Sequence, residues 1–212
     1  MSFSSDERHR LADLLLAKGP DAPTLLCEGW LTRDLAAHLW IREHRLDAAV
    51  GMFVPAVEGH LESTTARVKE RPYGQLVGDW AGGPGKFNPV RSIDRWLNLA
   101  EHFVHHEDVR RGQWMVDGSV TEPRELTEEE NAALTRAVVP IAKLFLRHSE
   151  HPIQIRIPGR VTLDLHPKSA DQGSVITVAG APGEVLLWLF GRDAVHVAIT
   201  PEGAPDPRSA KP

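Results

Sequence analysis

Pro152-Ile-Gln-Ile-Arg-Ile-Pro-Gly-Arg-Val-Thr-Leu-Asp-Leu165 is the stretch that decides the fold class. Apolar and polar residues alternate over 153–157 and again over 161–165, the period of a strand with one face buried, and Pro158-Gly159 supplies the turn between them. Downstream, Val175-Ile-Thr-Val178 and Ala194-Val-His-Val-Ala-Ile199 carry the β-branched signature of further strands. Val185-Leu-Leu-Trp-Leu-Phe190, introduced by Pro182-Gly183-Glu184 and ended by Gly191, reads as a short buried helix. Upstream of Pro152 nothing resembles a strand. The expectation is an α+β chain: a helical bundle over 1–150, a small α+β domain over 151–200, and a Pro/Ala-rich flexible tail over 201–212.

Within the helical part, Ser4-x-x-Glu7 has the form of a capping box, Leu11, Leu14 and Leu15 follow at helical spacing, and Gly19-Pro20 stops the helix. Thr32 is the expected cap of a second helix, with Leu31, Leu35, Leu39 and Leu46 on one side and Arg42 and Glu43 on the other. A third helix is expected over 55–70 and a short one after Pro72. Ala81-Gly-Gly-Pro-Gly-Lys-Phe-Asn-Pro89 then reads as a loop and a candidate lid. Ile93, Trp96, Leu97, Ala100 and Val104 recur every three or four residues, predicting an amphipathic helix over 91–111 that ends at Gly112. Thr127-x-x-Glu130 is a second capping box, opening a helix to about 148 with a kink at Pro140. Trp30, Trp96 and Trp188 are expected in the core.

Hydrophobic residues make up 42% of the 212-residue chain and charged residues 25%, which excludes collagen-like, disordered and membrane-embedded classes. With 24 Lys plus Arg against 29 Asp plus Glu, the formal charge is -5 and no basic cluster offers a footprint for nucleic acid or anionic lipid. No window approaches the about 18 apolar residues of a membrane span, and the first residues show no charged start followed by an apolar run. A cytoplasmic location is expected, without nucleic-acid or membrane partners. The single cysteine, Cys27, forbids an intramolecular disulfide and is expected to be a small packed residue. Gly82-Gly83-Pro84-Gly85-Lys86 lacks the spacing of a phosphate-binding loop.

Eleven histidines is the one compositional excess. Glu101-His-Phe-Val-His-His-Glu-Asp108 packs six titratable groups into eight residues of the predicted 91–111 helix. At about 100° per residue, positions four apart lie about 40° from one another, so either Glu101 with His105 or His102 with His106 can offer two donors to one ion. Glu101 and His105 flank the stripe of Leu97, Ala100 and Val104, which favours that pair without settling it. A facing helix must supply a third ligand, and His38 lies on the inward side of its helix, with Asp34 one turn earlier to orient its ring. His44 lies further round toward solvent, and His9, His60, His151 and His166 have loop or edge contexts. The remaining groups, His102, His106, Glu107 and Asp108, read as a solvated or salt-bridged face beside Arg110 and Arg111.

Cys27-Glu-Gly-Trp-Leu-Thr-Arg-Asp-Leu-Ala-Ala-His38-Leu resembles the GW-x-x-RDL-x-x-HL signature of the mycothiol-dependent maleylpyruvate isomerase family, in the DinB/YfiT-like superfamily. Glu101-His-Phe-Val-His105-His-Glu-Asp-Val-Arg-Arg resembles that family's later E-x-x-x-H-x-x-D helix, and Leu186-Leu-Trp-Leu-Phe-Gly-Arg192 its C-terminal LL-x-W-L-x-GR segment. The resemblance implies a DinB-like four-helix bundle followed by a small sterol-carrier-like α+β domain. It also implies a divalent ion, usually zinc, held by His38, Glu101 and His105.

Three protein ligands leave a fourth position open, as in catalytic zinc sites. In thiol-dependent members of the superfamily that position takes a low-molecular-weight thiol, here mycothiol, whose thiolate adds to an unsaturated acid or displaces a leaving group. Expected partners are thus a small-molecule substrate and a thiol, for a monomer or homodimer. Arg192 can pair with a substrate carboxylate; its bland alternative is a surface arginine at a helix end. Competing readings are a metal-assisted hydrolase using bound water and a non-enzymatic metal- or small-ligand-binding module.

Overall fold

The alternating 153–165 stretch forms the hairpin its pattern predicts, along one side of the sheet in one of two compact units. The computed structural model describes residues 3–49, 58–84, 95–168, 170 and 173–208. The first unit comprises residues 1–98 and 105–119, the second residues 99–104 and 120–212. Among the described residues the chain is mixed α+β, with helices α1 to α9 and a four-stranded sheet.

In the first unit, α1 (Phe3–Lys18), α2 (Thr32–His44), α3 (Leu46–Ala49), α4 (Glu58–Lys69) and α5 (Tyr73–Ala81) precede the two ends of α6 (Arg95–Arg110), whose residues 99–104 count with the second unit, and a short α7 (Trp114–Asp117) that the sequence pattern does not announce. Leu11, Leu15, Leu35, Leu39, Ile41, Leu76 and Trp80 fill its core. Their burial is the main source of its stability, at roughly 1.5–3 kcal/mol per large apolar side chain. A carboxylate sits in that core as well. Glu43, placed by the sequence pattern on the polar side of α2, is 1% exposed. It accepts both guanidinium arms of Arg8, at 2.7 and 2.9 Å, and the Trp80 indole N–H at 3.2 Å. A charge out of water is tolerated only when so paired.

Three helix starts show how local chemistry was redistributed. α1 already runs from Phe3, and Glu7, expected in a cap, is buried and accepts from Arg10 at 2.8 Å. α2 is capped at Leu31, not Thr32: the Asp34 carboxylate accepts the Leu31 N–H at 2.9 Å, while the Thr32 hydroxyl donates to the Gly19 carbonyl. Leu46 falls in α3 and is 40% exposed, so it is not on the α2 stripe. The expected helix over 55–70 is described from Glu58, and residues 85–94, which include most of the loop read as a lid and the start of the 91–111 helix, lie outside the described residues.

In the second unit the strands are β1 (Ile153–Ile157), β2 (Val161–Leu165), β3 (Ile176–Gly180) and β4 (Val197–Thr200), ordered β2-β1-β3-β4. β1 pairs antiparallel with β2 and parallel with β3, and β3 antiparallel with β4. Gly159, at φ 71°, takes the left-handed turn between β1 and β2. α8 (Glu128–Phe145) keeps the expected capping box: the Glu130 N–H meets Thr127 Oγ1 at 3.2 Å, and the Thr127 N–H meets Glu130 Oε2 at 2.8 Å. α9 (Pro182–Leu189) is buried along its whole length and packs on α8 and the sheet. The expected final strand over 194–199 begins only at Val197. The segment expected as a flexible tail holds Arg208, whose guanidinium donates to the Trp188 and Arg192 carbonyls and to Asp193.

Gly112 closes the first unit's packing. A Cβ there would stand 1.9 Å from the Pro23 carbonyl oxygen, a backbone atom with nowhere to go. Gly112→Ala is expected to cost at least about 2 kcal/mol in chemical denaturation. Gly78→Ala, inside α5 with nothing within 4 Å, should gain about 0.5–1 kcal/mol in the same measurement.

Candidate functional site

The loop between α1 and α2 holds the first unit's polar cluster together. Pro23 bridges to Leu31, and the Trp30 carbonyl accepts both the N–H and the hydroxyl of Thr24, each at 3.0 Å. The next residue, Leu25, donates its N–H to the Asp108 carbonyl of α6 at 2.9 Å. A closed loop therefore ties the start of α2 to the last turns of α6.

That tie brings His38 and His105 together, with ring centroids 5.6 Å apart and planes at 74°. The Trp30 ring meets His38 edge-on at 5.8 Å, so this tryptophan lines the cluster instead of filling the core as expected. His105 is 7% exposed and bonded through Nδ1 to Oδ2 of the fully buried Asp108 at 2.9 Å. This contact fixes the ring and leaves Nε2 as the nitrogen that can meet a ligand. A carboxylate behind a histidine is the usual support of a metal-ligating imidazole.

The orienting carboxylate is Asp108, which sequence reasoning had assigned to a solvated or salt-bridged face. Asp34, expected to orient His38, is instead engaged by the Leu31 N–H and the Lys69 ammonium. The signal for Asp108 was present: three residues after His105 it lies on the same helical face. His102, His106 and Glu107 are also buried, at 3%, 8% and 0% exposure. Of the proposed face, only the salt-bridged part holds: Glu107 accepts from Arg110 at 2.7 Å and from the buried Arg111 at 2.8 Å. Such pairing offsets the cost of a fully desolvated carboxylate.

Two imidazoles that bind one ion through Nε2 at about 2.0–2.1 Å and a tetrahedral angle have ring centroids about 5.2 Å apart. The observed 5.6 Å is about 0.4 Å wider than this spacing and also lies within the roughly 4.5–7 Å range of ordinary edge-to-face ring contacts. Glu101 is half-buried one helical turn before His105. Among the described residues no three His, Cys, Asp or Glu side chains stand together as a ready metal cluster, so what the structure assembles is the His38/His105 pair.

Other expected positions differ. Cys27 is exposed, not packed. His44 stacks on Trp40 at 4.8 Å, while His9 and His60 are exposed on α1 and α4. Trp96 is half-buried, and the indole that fills the first unit's core is Trp80. In the second unit Arg192 is 8% exposed and donates to the Phe190 carbonyl at 2.6 Å, so it is not a surface arginine. Among the described residues no helix is long and apolar enough to cross a membrane. Comparison of the chain with protein-family models, curated proteins and solved structures finds no match.

The Asp108 contact makes a spectroscopic prediction. At neutral pH, nitrogen NMR should show neutral His105 as the Nδ1–H tautomer, and Asp108→Leu should shift the population toward Nε2–H. An unchanged tautomer in the variant would mean that Asp108 does not orient the ring.

Proposed function

We propose that the His38/His105 pair and Glu101 bind a divalent cation, zinc by preference, and that the protein uses it to activate a small thiol as an isomerase or S-transferase. The observation that carries this reading is the two imidazoles at 5.6 Å, one of them fixed from behind by a buried carboxylate. On this reading the helices of the first unit correspond to a DinB-like bundle and the second unit to a sterol-carrier-like domain, as the resemblance to the mycothiol-dependent maleylpyruvate isomerase family implies. Glu101, one helical turn before His105 on α6, is the third donor that the same resemblance implies.

Two imidazoles and one carboxylate are a borderline-soft donor set of net charge -1 that suits zinc and leaves one tetrahedral position open. When bound, the ion supplies Lewis acidity that makes a coordinated thiol, such as mycothiol, a thiolate at neutral pH. The chain's own residues do the rest. Asp108 holds His105 in the ligating tautomer, and Trp30 covers one side of His38.

Elemental analysis of the purified full chain is expected to find about one divalent ion per chain. His38→Ala and His105→Ala should each lose it, and His102→Ala should keep it. Asp108→Asn should retain the ion with about 10–100-fold weaker affinity. Stoichiometric metal in both the His38 and His105 variants would falsify the ligand set. Turnover of an unsaturated acid or an electrophile that rises with added mycothiol and disappears on chelation supports the thiol chemistry. Metal-dependent ester or amide cleavage indifferent to thiol would replace it with a hydrolase.

A further inference from the structure

The second unit contains a cavity of about 670 Å³ where the C-terminal end of α8 meets the end of β2. Its apolar lining is Leu146, Leu165 and Pro167, and around it stand Lys143, Arg147 and Lys168, with His148 and His166 beside them. Among the described residues that line it, none is acidic. In a chain of formal charge -5, three cations on one opening, with no carboxylate among its described lining residues, are a local reversal of sign.

Ordinary structural roles do not use these charges up. Among the described residues no carboxylate pairs with Lys143, Arg147 or Lys168; the hydrogen bond of the Arg147 side chain goes to the Nε2 of its neighbour His148, at 2.8 Å. A helix C-terminus attracts cations, which accounts for a lysine in the last turn of α8. It does not account for Lys168, which arrives from beyond β2. The roughly half negative charge at that helix end is also too small to balance three positive ones. A volume within the range of small-molecule pockets, an apolar floor and unbalanced positive charge at the mouth together specify a ligand class.

We infer that this cavity binds an organic anion, with an apolar chain lying on Leu146, Leu165 and Pro167 and an anionic head met by Arg147, Lys143 and Lys168. The guanidinium of Arg147 provides two parallel donors and the two lysines provide point charges. This site is independent of the metal centre proposed above and uses none of its residues.

Isothermal titration of the full chain with octyl phosphate, octanoate, 1-octanol and inorganic phosphate tests the inference. Octyl phosphate or octanoate should bind one-to-one, and the preferred head group tells a phosphate ligand from a carboxylate. Inorganic phosphate and octanol, each lacking half of the recognised structure, should bind at least about tenfold more weakly. Arg147→Glu, an exposed position, should weaken the preferred ligand about tenfold or more, and raising salt should weaken it in the parent chain. Arg67→Glu, an equal charge change on α4, should alter affinity less than about twofold. Circular dichroism establishes that both variants are folded. The inference is overturned if neither octyl anion saturates, if Arg147→Glu and Arg67→Glu weaken binding alike, or if inorganic phosphate or octanol binds as tightly as the octyl anions.

Discussion

Asp108 joins two requirements that would otherwise be met separately. Its backbone carbonyl receives the N–H of Leu25, anchoring the loop that leads into α2, and its carboxylate receives the ring of His105. Asp108 itself lies at zero exposure, where an unmatched carboxylate costs several kcal/mol. The spacing of the two imidazoles is thereby coupled to the register of α6 against the loop. A slip of α6 by one residue would turn Asp108 about 100° away from both partners.

The last turns of α6 explain why the site was only partly legible in the sequence. The 3.6-residue pattern located the helix and the inward direction of His105, because Leu97, Ala100 and Val104 mark one stripe. It assigned His102, His106, Glu107 and Asp108 to a solvated or salt-bridged face, since charged residues rarely lie fully buried unless paired. Here pairing is what allows it: Glu107 holds Arg110 and Arg111, and Asp108 holds His105. A one-dimensional pattern reports how polar a residue is, not whether its partner lies four residues away on the same buried face. Glu43 was misplaced for the same reason, its partners Arg8 and Trp80 lying 35 and 37 residues away along the chain.

Where local chemistry dominates, the sequence reads accurately. The Thr127 capping box, the turn at Pro158-Gly159, both strands of the 153–165 hairpin and the buried helix closed by Gly191 depend on neighbours within a few residues, and each forms close to its expected bounds. Boundaries drift where a distant group competes. Thr32 gives up the cap of α2 because its hydroxyl is drawn to the Gly19 carbonyl, and Asp34 takes over the cap instead of orienting His38.

That exchange changes how the two imidazoles behave. His105 is locked by a buried carboxylate, whereas Asp34, the residue expected to hold His38, is engaged elsewhere, and His38 remains half-exposed beside Trp30. His38 lies at the half-exposed edge of the cluster and His105 at its buried end, so the packing around the two rings is unequal. On the proposed metal reading, the ring whose tautomer must be right before an ion arrives is His105, and that is the ring the Asp108 carboxylate already fixes.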